Sequence, residues 1–104
     1  MKYWFHPEAR VELLESVAYY ELQQSRLGQR FFDSITDAIC RIQAHPKMYR
    51  QVSGQWRQCR IPRFPLGLIY RIKNRRIEIV AVMHLCRKPG YWQNRIAGIH
   101  DDKL

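Results

Sequence analysis

The sequence predicts an α+β domain: a helical hairpin packed on one face of a small, mainly antiparallel sheet, in the order β-α-α-β-β-β. Three observations carry this. Residues 7 to 44 repeat apolar positions at helical spacing, broken once near Gly28. Residues 66 to 84 hold two β-branched runs separated by the all-polar stretch Lys73-Asn74-Arg75-Arg76. Short connections between successive strands make them antiparallel, and a helix pair joined by a short turn must bury its stripe on that sheet. At 104 residues, without repeats or a linker, the chain reads as a single domain over 1–104.

Each element has its local reason. Tyr3-Trp4-Phe5 is an aromatic run that reads as a first strand. Pro7 suits the first turn of a helix, and Glu8 favours its N-terminus. The first helix is expected from Pro7 to Gln24. Ala9, Leu13, Val17 and Tyr20 form its stripe, with Leu14 and Ala18 widening it, and Glu8, Glu12 and Glu15 fall on or near the opposite side. Gly28 marks the turn after it. The second helix is expected from Gln29 to Ala44, with Phe31, Phe32, Ile35, Ala38, Ile39 and Ile42 following helical spacing, and His45-Pro46 ends it. Lys47 to Gly54 is polar and reads as loop. Gln55 to Ile61 alternates in part and reads as a strand with Cys59 and Ile61 inward and Trp56, Gln58 and Arg60 opposite. Pro62 and Pro65 make the next connection a bend. Leu66 to Ile72 and Ile77 to His84 are the last two strands. Asn74 supplies the left-handed backbone that a tight hairpin needs. The run Ile79 to Met83 is apolar on both faces, so that strand is expected to be covered on both sides. Ile96 to Leu104 is weakly patterned and is expected to fray.

Charge narrows the function. The net charge is +9, but residues 1–56 contribute only +1, whereas residues 57–95 hold ten Lys/Arg against Glu78 alone. A basic half implies an acidic partner: nucleic acid, a ribonucleoprotein or an acidic protein segment. No stretch approaches the roughly 20 apolar residues of a membrane span, and the start of the chain does not read as a signal peptide. A cytoplasmic protein without membrane contact is expected. Cys40, Cys59 and Cys86 fit neither a disulfide framework nor a metal motif, and the histidines lack ligand spacing. No cofactor or metal is expected.

Five segments then carry a resemblance. Phe5-His6-Pro7-Glu8-Ala9, Tyr19-Tyr20-Glu21, Ile42-Gln43-Ala44-His45-Pro46, Phe64-Pro65-Leu66-Gly67-Leu68-Ile69-Tyr70, and Ile79 to His84 leading into Arg87-Lys88-Pro89-Gly90-Tyr91-Trp92 occur in one order. The chain from about Tyr3 to Arg95 resembles the RelE/ParE superfamily of toxins from type II toxin–antitoxin modules, and its ParE-like plasmid stabilisation branch in particular. The resemblance implies a toxin neutralised by a cognate antitoxin with an acidic, amphipathic tail. It also implies one of two targets. ParE-like members inhibit DNA gyrase, and His84 at the end of the last strand and the long tail after it favour this branch. RelE-like members cleave mRNA on the ribosome, which needs a base, an acid and cations around a phosphate. A basic binding module that kept the fold without toxicity is a third alternative.

The candidate residues follow from these readings. For a RelE-like reaction the catalytic set is Arg60, Arg63, His84, Arg87 and Tyr91, arginine being suited to clamp phosphate oxygens. For target binding the set is Arg87, Lys88, Tyr91 and Trp92, with Arg87 foremost because charge, strand end and resemblance coincide there. For the antitoxin the set is Leu13, Val17, Tyr20, Arg57 and Arg60, an apolar stripe beside basic residues.

Overall fold

The computed structural model describes residues 1–96. Its elements are β1 (Lys2–Phe5), α1 (Pro7–Gln23), α2 (Leu27–Ala44), β2 (Arg50–Ser53), β3 (Trp56–Arg60), β4 (Leu66–Lys73), β5 (Arg76–His84) and a short α3 (Gln93–Ile96). The sheet order is β1-β5-β4-β3-β2, with β1 parallel to β5 and the other pairs antiparallel. The α+β class and the element order of the prediction are those observed, with two additions. β2 lies where a loop was expected, paired with β3 across Gly54, whose φ is +53°. α3 follows the aromatic tail. Of the segment expected to fray, Ile96 to Leu104, Ile96 is the last residue of α3 and the rest lies outside the described residues.

The helical hairpin is held at very close range. Gly28 was read as the turn residue, but it belongs to α2. The left-handed residue is Arg26, at φ 70°. Gly28 is there for contact: a Cβ on it would lie 2.5 Å from the Val17 carbonyl oxygen on α1. Glu21 completes the junction by accepting from the Arg26 and Gly28 N–H groups at 2.9 and 3.1 Å. These are donors the start of α2 would otherwise leave unpaired.

The sheet is covered on both faces, as the apolar run predicted. Ala9, Leu13, Phe31, Ile35 and Ile42 of the helices pack on Cys59, Leu68, Tyr70, Ile77, Ile79 and Val82. The other face buries Trp56, Ile69, Val80, Ala81 and Met83 beneath Trp92. Trp56, expected outward with Gln58 and Arg60, is therefore core on this second face. Val80 and Ala81 share it because β5 carries a β-bulge: Ile69 faces Ala81 and Tyr70 faces Ile79, leaving Val80 as the extra residue. The bulge reverses the alternation of β5 from that point on. His84 consequently lies on the helix side with Val82, and Val80 is on the opposite side.

The β4–β5 turn is as predicted. Asn74 and Arg75 both adopt left-handed backbone, φ 53° and 60°, the geometry that suits a two-residue hairpin. Near that end Arg71 is buried against Glu78 (2.8 Å) with its guanidinium 4.8 Å from the Trp56 ring, and Arg76 holds the second Glu78 oxygen at 3.0 Å.

Candidate functional site

β1 runs level with β5 only as far as Phe5 opposite Ile79, and the His6 N–H then donates to the Ile79 carbonyl before α1 begins. Beyond that point side chains take the place of a paired strand. Glu12, one turn into α1, accepts from the Val82 N–H at 2.9 Å, and Arg95 of α3 donates to the carbonyl of the bulged Val80 at 3.0 Å. Glu12 and Arg95 are also joined to each other by two bonds of 2.9 and 2.8 Å. Such a two-pronged, charge-assisted pair is geometrically specific. Glu12 was expected on or near the outer side of its helix. Its side chain is instead 14% exposed and turned to β5 and the tail.

The tail is built on this carboxylate. Tyr91 donates its hydroxyl to Glu12 at 2.6 Å. The Arg87 guanidinium lies 3.7 Å from the centre of the Tyr91 ring and 3.6 Å from a Glu12 oxygen, with its side chain 53% exposed. Arg95 approaches the same ring at 5.0 Å. Burial, and then the bond to an anion, raise the Tyr91 pKa well above its ordinary value. The bond to Glu12 is also the main cause that raises the Arg95 pKa. Both groups are thus held in their protonated forms.

The candidate catalytic residues lie toward one end of the sheet but do not share one cleft. Arg60 and Arg87 line one cleft of about 650 Å³ on the sheet face away from the helices, with Arg50, Gln58, Ser53 and Gln93. His84 and Arg87 line another, of about 500 Å³, between α1 and the end of β5, with Glu12, Glu15 and Tyr20. Arg87 is the residue common to both. Arg63 is exposed in the bend between β3 and β4, with φ 71°. His84 accepts the Cys86 N–H on its Nδ1 at 3.1 Å, capping the turn after β5. Lys88 is exposed beside Arg87.

Three expectations are corrected by packing. Trp92 was expected to meet a target, but it is 2% exposed, its ring 5.7 Å from that of Trp56. It closes the second core. Leu13, Val17 and Tyr20 were expected to meet the antitoxin; Leu13 is buried, whereas Val17 and Tyr20 are half-buried, packing on the core, Tyr20 against Phe31 and Phe64, while each still lines a surface cleft. The apolar residues that α1 does present are Val11, Leu14, Ala18 and Leu22, spaced as a second stripe, with Tyr19 beside it. Arg57 is half-buried and donates to the Lys47 and Tyr49 carbonyls at 3.1 and 2.7 Å, tying the loop before β2 to β3. Arg95 was absent from the sequence-derived set. Its carboxylate partner, Glu12, lies 83 positions away, and nothing local announces the pair.

A helical hairpin on this five-stranded mixed sheet is an α+β fold consistent with the RelE/ParE superfamily of toxins. Within it, the family model described as ParE toxin of type II toxin-antitoxin system, parDE, matches residues 3–88, and the chain belongs to that family. A solved chain from the chromosomal ParDE toxin–antitoxin system of P. aeruginosa shares the fold, with a TM-score of 0.58 at 13% identity over 81% of this chain and 95% of that one. No curated protein matches the sequence. Membership makes the protein a type II toxin whose partner is a cognate antitoxin. The family match stops at Lys88, so Tyr91, Trp92 and Arg95 lie beyond it. No helix among the described residues is long and apolar enough to cross a membrane.

Proposed function

We propose that this ParE-family toxin acts in the cytoplasm by binding DNA gyrase through the surface of Arg87, Lys88 and Tyr91, and that its antitoxin covers the outer face of α1. The observation that carries the target reading is that the groups a ribonuclease would need together, although they lie toward one end of the sheet, do not line one cleft. His84 and Arg60 line different clefts, and Arg63 lies in the bend between strands. Tyr91 already donates to Glu12, and its raised pKa makes it a poor acid at neutral pH. What is left at the end of β5 is an exposed guanidinium stacked on an aromatic ring, which is a binding feature. The second reading, a RelE-like endoribonuclease, draws support from the cleft holding Arg50, Arg60 and Arg87, which no acidic side chain lines among the described residues.

For the antitoxin, the exposed stripe of Val11, Leu14, Ala18 and Leu22 fits an amphipathic helix, and the basic end of the sheet fits its acidic residues. The test of the target reading is paired. Purified toxin is added to gyrase with supercoiled DNA, and separately to a translating ribosome system read by primer extension. Trapped gyrase–DNA breaks or blocked supercoiling with intact mRNA is the expected result. Codon-positioned cuts with unaffected gyrase would replace this reading by the ribonuclease one.

A further inference from the structure

We propose that Glu12 is a positioning residue for the Arg87–Tyr91 surface: together with Arg95 it latches the C-terminal segment onto the unpaired part of β5. The inference rests on the reading above only where it concerns gyrase; the latch itself stands on geometry. One carboxylate, on a helix 70 residues earlier in the chain than the strand it meets, accepts from the Val82 N–H, the Tyr91 hydroxyl and both terminal nitrogens of Arg95. Arg95, 7% exposed in its side chain, returns to β5 through the Val80 carbonyl. These contacts occur where β1 has ended and the bulge has displaced the backbone, so they hold strand, helix and tail at one point. Arg87 is tied to the same group: its guanidinium lies 3.7 Å from the centre of the Tyr91 ring and 3.6 Å from a Glu12 oxygen. Among the described residues, the other acids near this cluster are Glu15, exposed in the cleft of His84 and Arg87, and Glu8, 3.5 Å from Arg95 and mostly exposed. Neither can substitute for bonds made on the inner side.

Loss of the Glu12 charge therefore releases the tail and with it the orientation of Arg87, while leaving the outer stripe of α1 in place. The experiment compares the full chain with Glu12→Gln, Glu12→Ala and Tyr91→Phe, the last removing a single latch bond. Ile35→Val, a trim in the helix-side core with no bond to the latch, serves as a control for general destabilisation. Amide hydrogen exchange read by mass spectrometry over residues 85–95 is expected to speed up at least tenfold in both Glu12 variants. A smaller increase is expected in Tyr91→Phe and none in Ile35→Val, with the β4 amides unchanged throughout. Inhibition of gyrase is expected to fall at least tenfold in the Glu12 variants and to be retained in Ile35→Val. Should the Glu12 variants fail to fold, Arg95→Lys, which breaks the two-pronged bond to Glu12 outside the target surface, decides the point by the same two measurements. Unchanged tail exchange in folded variants overturns the latch. Faster exchange with undiminished gyrase inhibition overturns the positioning role. If the unaltered chain leaves gyrase untouched, the target reading has failed, and the exchange measurement still decides the latch by itself.

Discussion

Trp92→Ala should cost this protein a large part of its stability, although the residue sits in a tail that resembles a recognition segment. Its side chain is almost wholly buried and leans on Trp56 across the sheet face away from the helices. Trp92 is, among the described residues, the large side chain that the tail lays over Ile69, Val80 and Met83. Truncating a buried Trp to Ala removes its transfer free energy and leaves a cavity, about 3–5 kcal/mol together. The tilted pairing with Trp56 falls within that figure and accounts for about 1 kcal/mol of it. A domain of this size has a total stability of about 5–15 kcal/mol, and each 1 kcal/mol moves the melting midpoint by about 4–8 °C. A fall of more than about 10 °C is therefore expected in a melt followed by far-UV circular dichroism. Trp92→Phe, which keeps an aromatic body in the site, should recover more than half of the loss. A Trp92→Ala midpoint within about 4 °C of the parent would mean that the ring does not close the second core. The same reasoning bears on truncation. Removing the chain from Pro89 onward is expected to abolish target action, but it also removes Trp92 and Arg95, so it opens the core and the latch at once. Point substitutions separate those effects.

Arg87→Ala should abolish growth inhibition on induction while altering stability by no more than about 0.5 kcal/mol, because the side chain is half exposed and its Glu12 contact is long. A fully toxic, folded Arg87→Ala protein would remove the residue from the target surface. Gly28→Ala should destabilise by about 1–3 kcal/mol in a denaturant titration. The clash with the Val17 carbonyl outweighs the gain of at most about 1 kcal/mol in helix propensity. Leu14→Asp and Leu22→Asp change exposed side chains and should leave the melting midpoint within a few degrees. They should weaken antitoxin binding at least tenfold in a titration, and unchanged binding would move the antitoxin elsewhere. Stability should also fall as pH rises above about 10, the ordinary tyrosine pKa, because the unfolded state loses the phenolic proton there while the folded state keeps it at Tyr91 and at the buried Tyr70. Tyr91→Phe should flatten that decline in alkaline melts.

Much of the fold was legible because each helix and each long strand carries its own period. β2 was not, since Arg50-Gln51-Val52-Ser53 has one apolar residue and no alternation. It is an edge strand made by main-chain pairing with β3. The face assignments along β5 were beyond reach for a different reason. A bulge inserts one residue without changing composition, so the run Ile79 to Met83 reads as doubly buried whether or not its phase reverses. The stripe of α1 was legible, but its role was not: a helix with apolar residues on two sides does not declare which side is the interior. Leu13, Val17 and Tyr20 won that place because they meet Phe31 and Phe64. Glu12 and Arg95 were invisible as a pair, since no local pattern links positions 83 apart.

The segregation of charge was the right signal read at too coarse a grain. Of the ten cations between residues 57 and 95, Arg71 and Arg76 serve Glu78, Arg95 serves Glu12, and Arg57 serves two loop carbonyls. These hold the fold together. The exposed remainder is uneven. Arg75 stands at the β4–β5 turn, whereas Arg60, Arg63, Arg87 and Lys88 follow the ends of β3 and β5. Those ends are adjacent, because Leu66 pairs with His84 and the Leu85 N–H donates to the Pro65 carbonyl. A field concentrated at one end of a sheet attracts an acidic partner without fixing its orientation. Orientation needs rigid neighbours, and of those four cations Arg87 is the one with an aromatic ring and a carboxylate both within 4 Å. Specific recognition is therefore expected to depend on Arg87 more steeply than on Arg60, Arg63 or Lys88. Single alanine substitutions at these four positions, compared at low and high salt, test this. The effect of Arg60, Arg63 and Lys88 should shrink as salt rises, and that of Arg87 should persist.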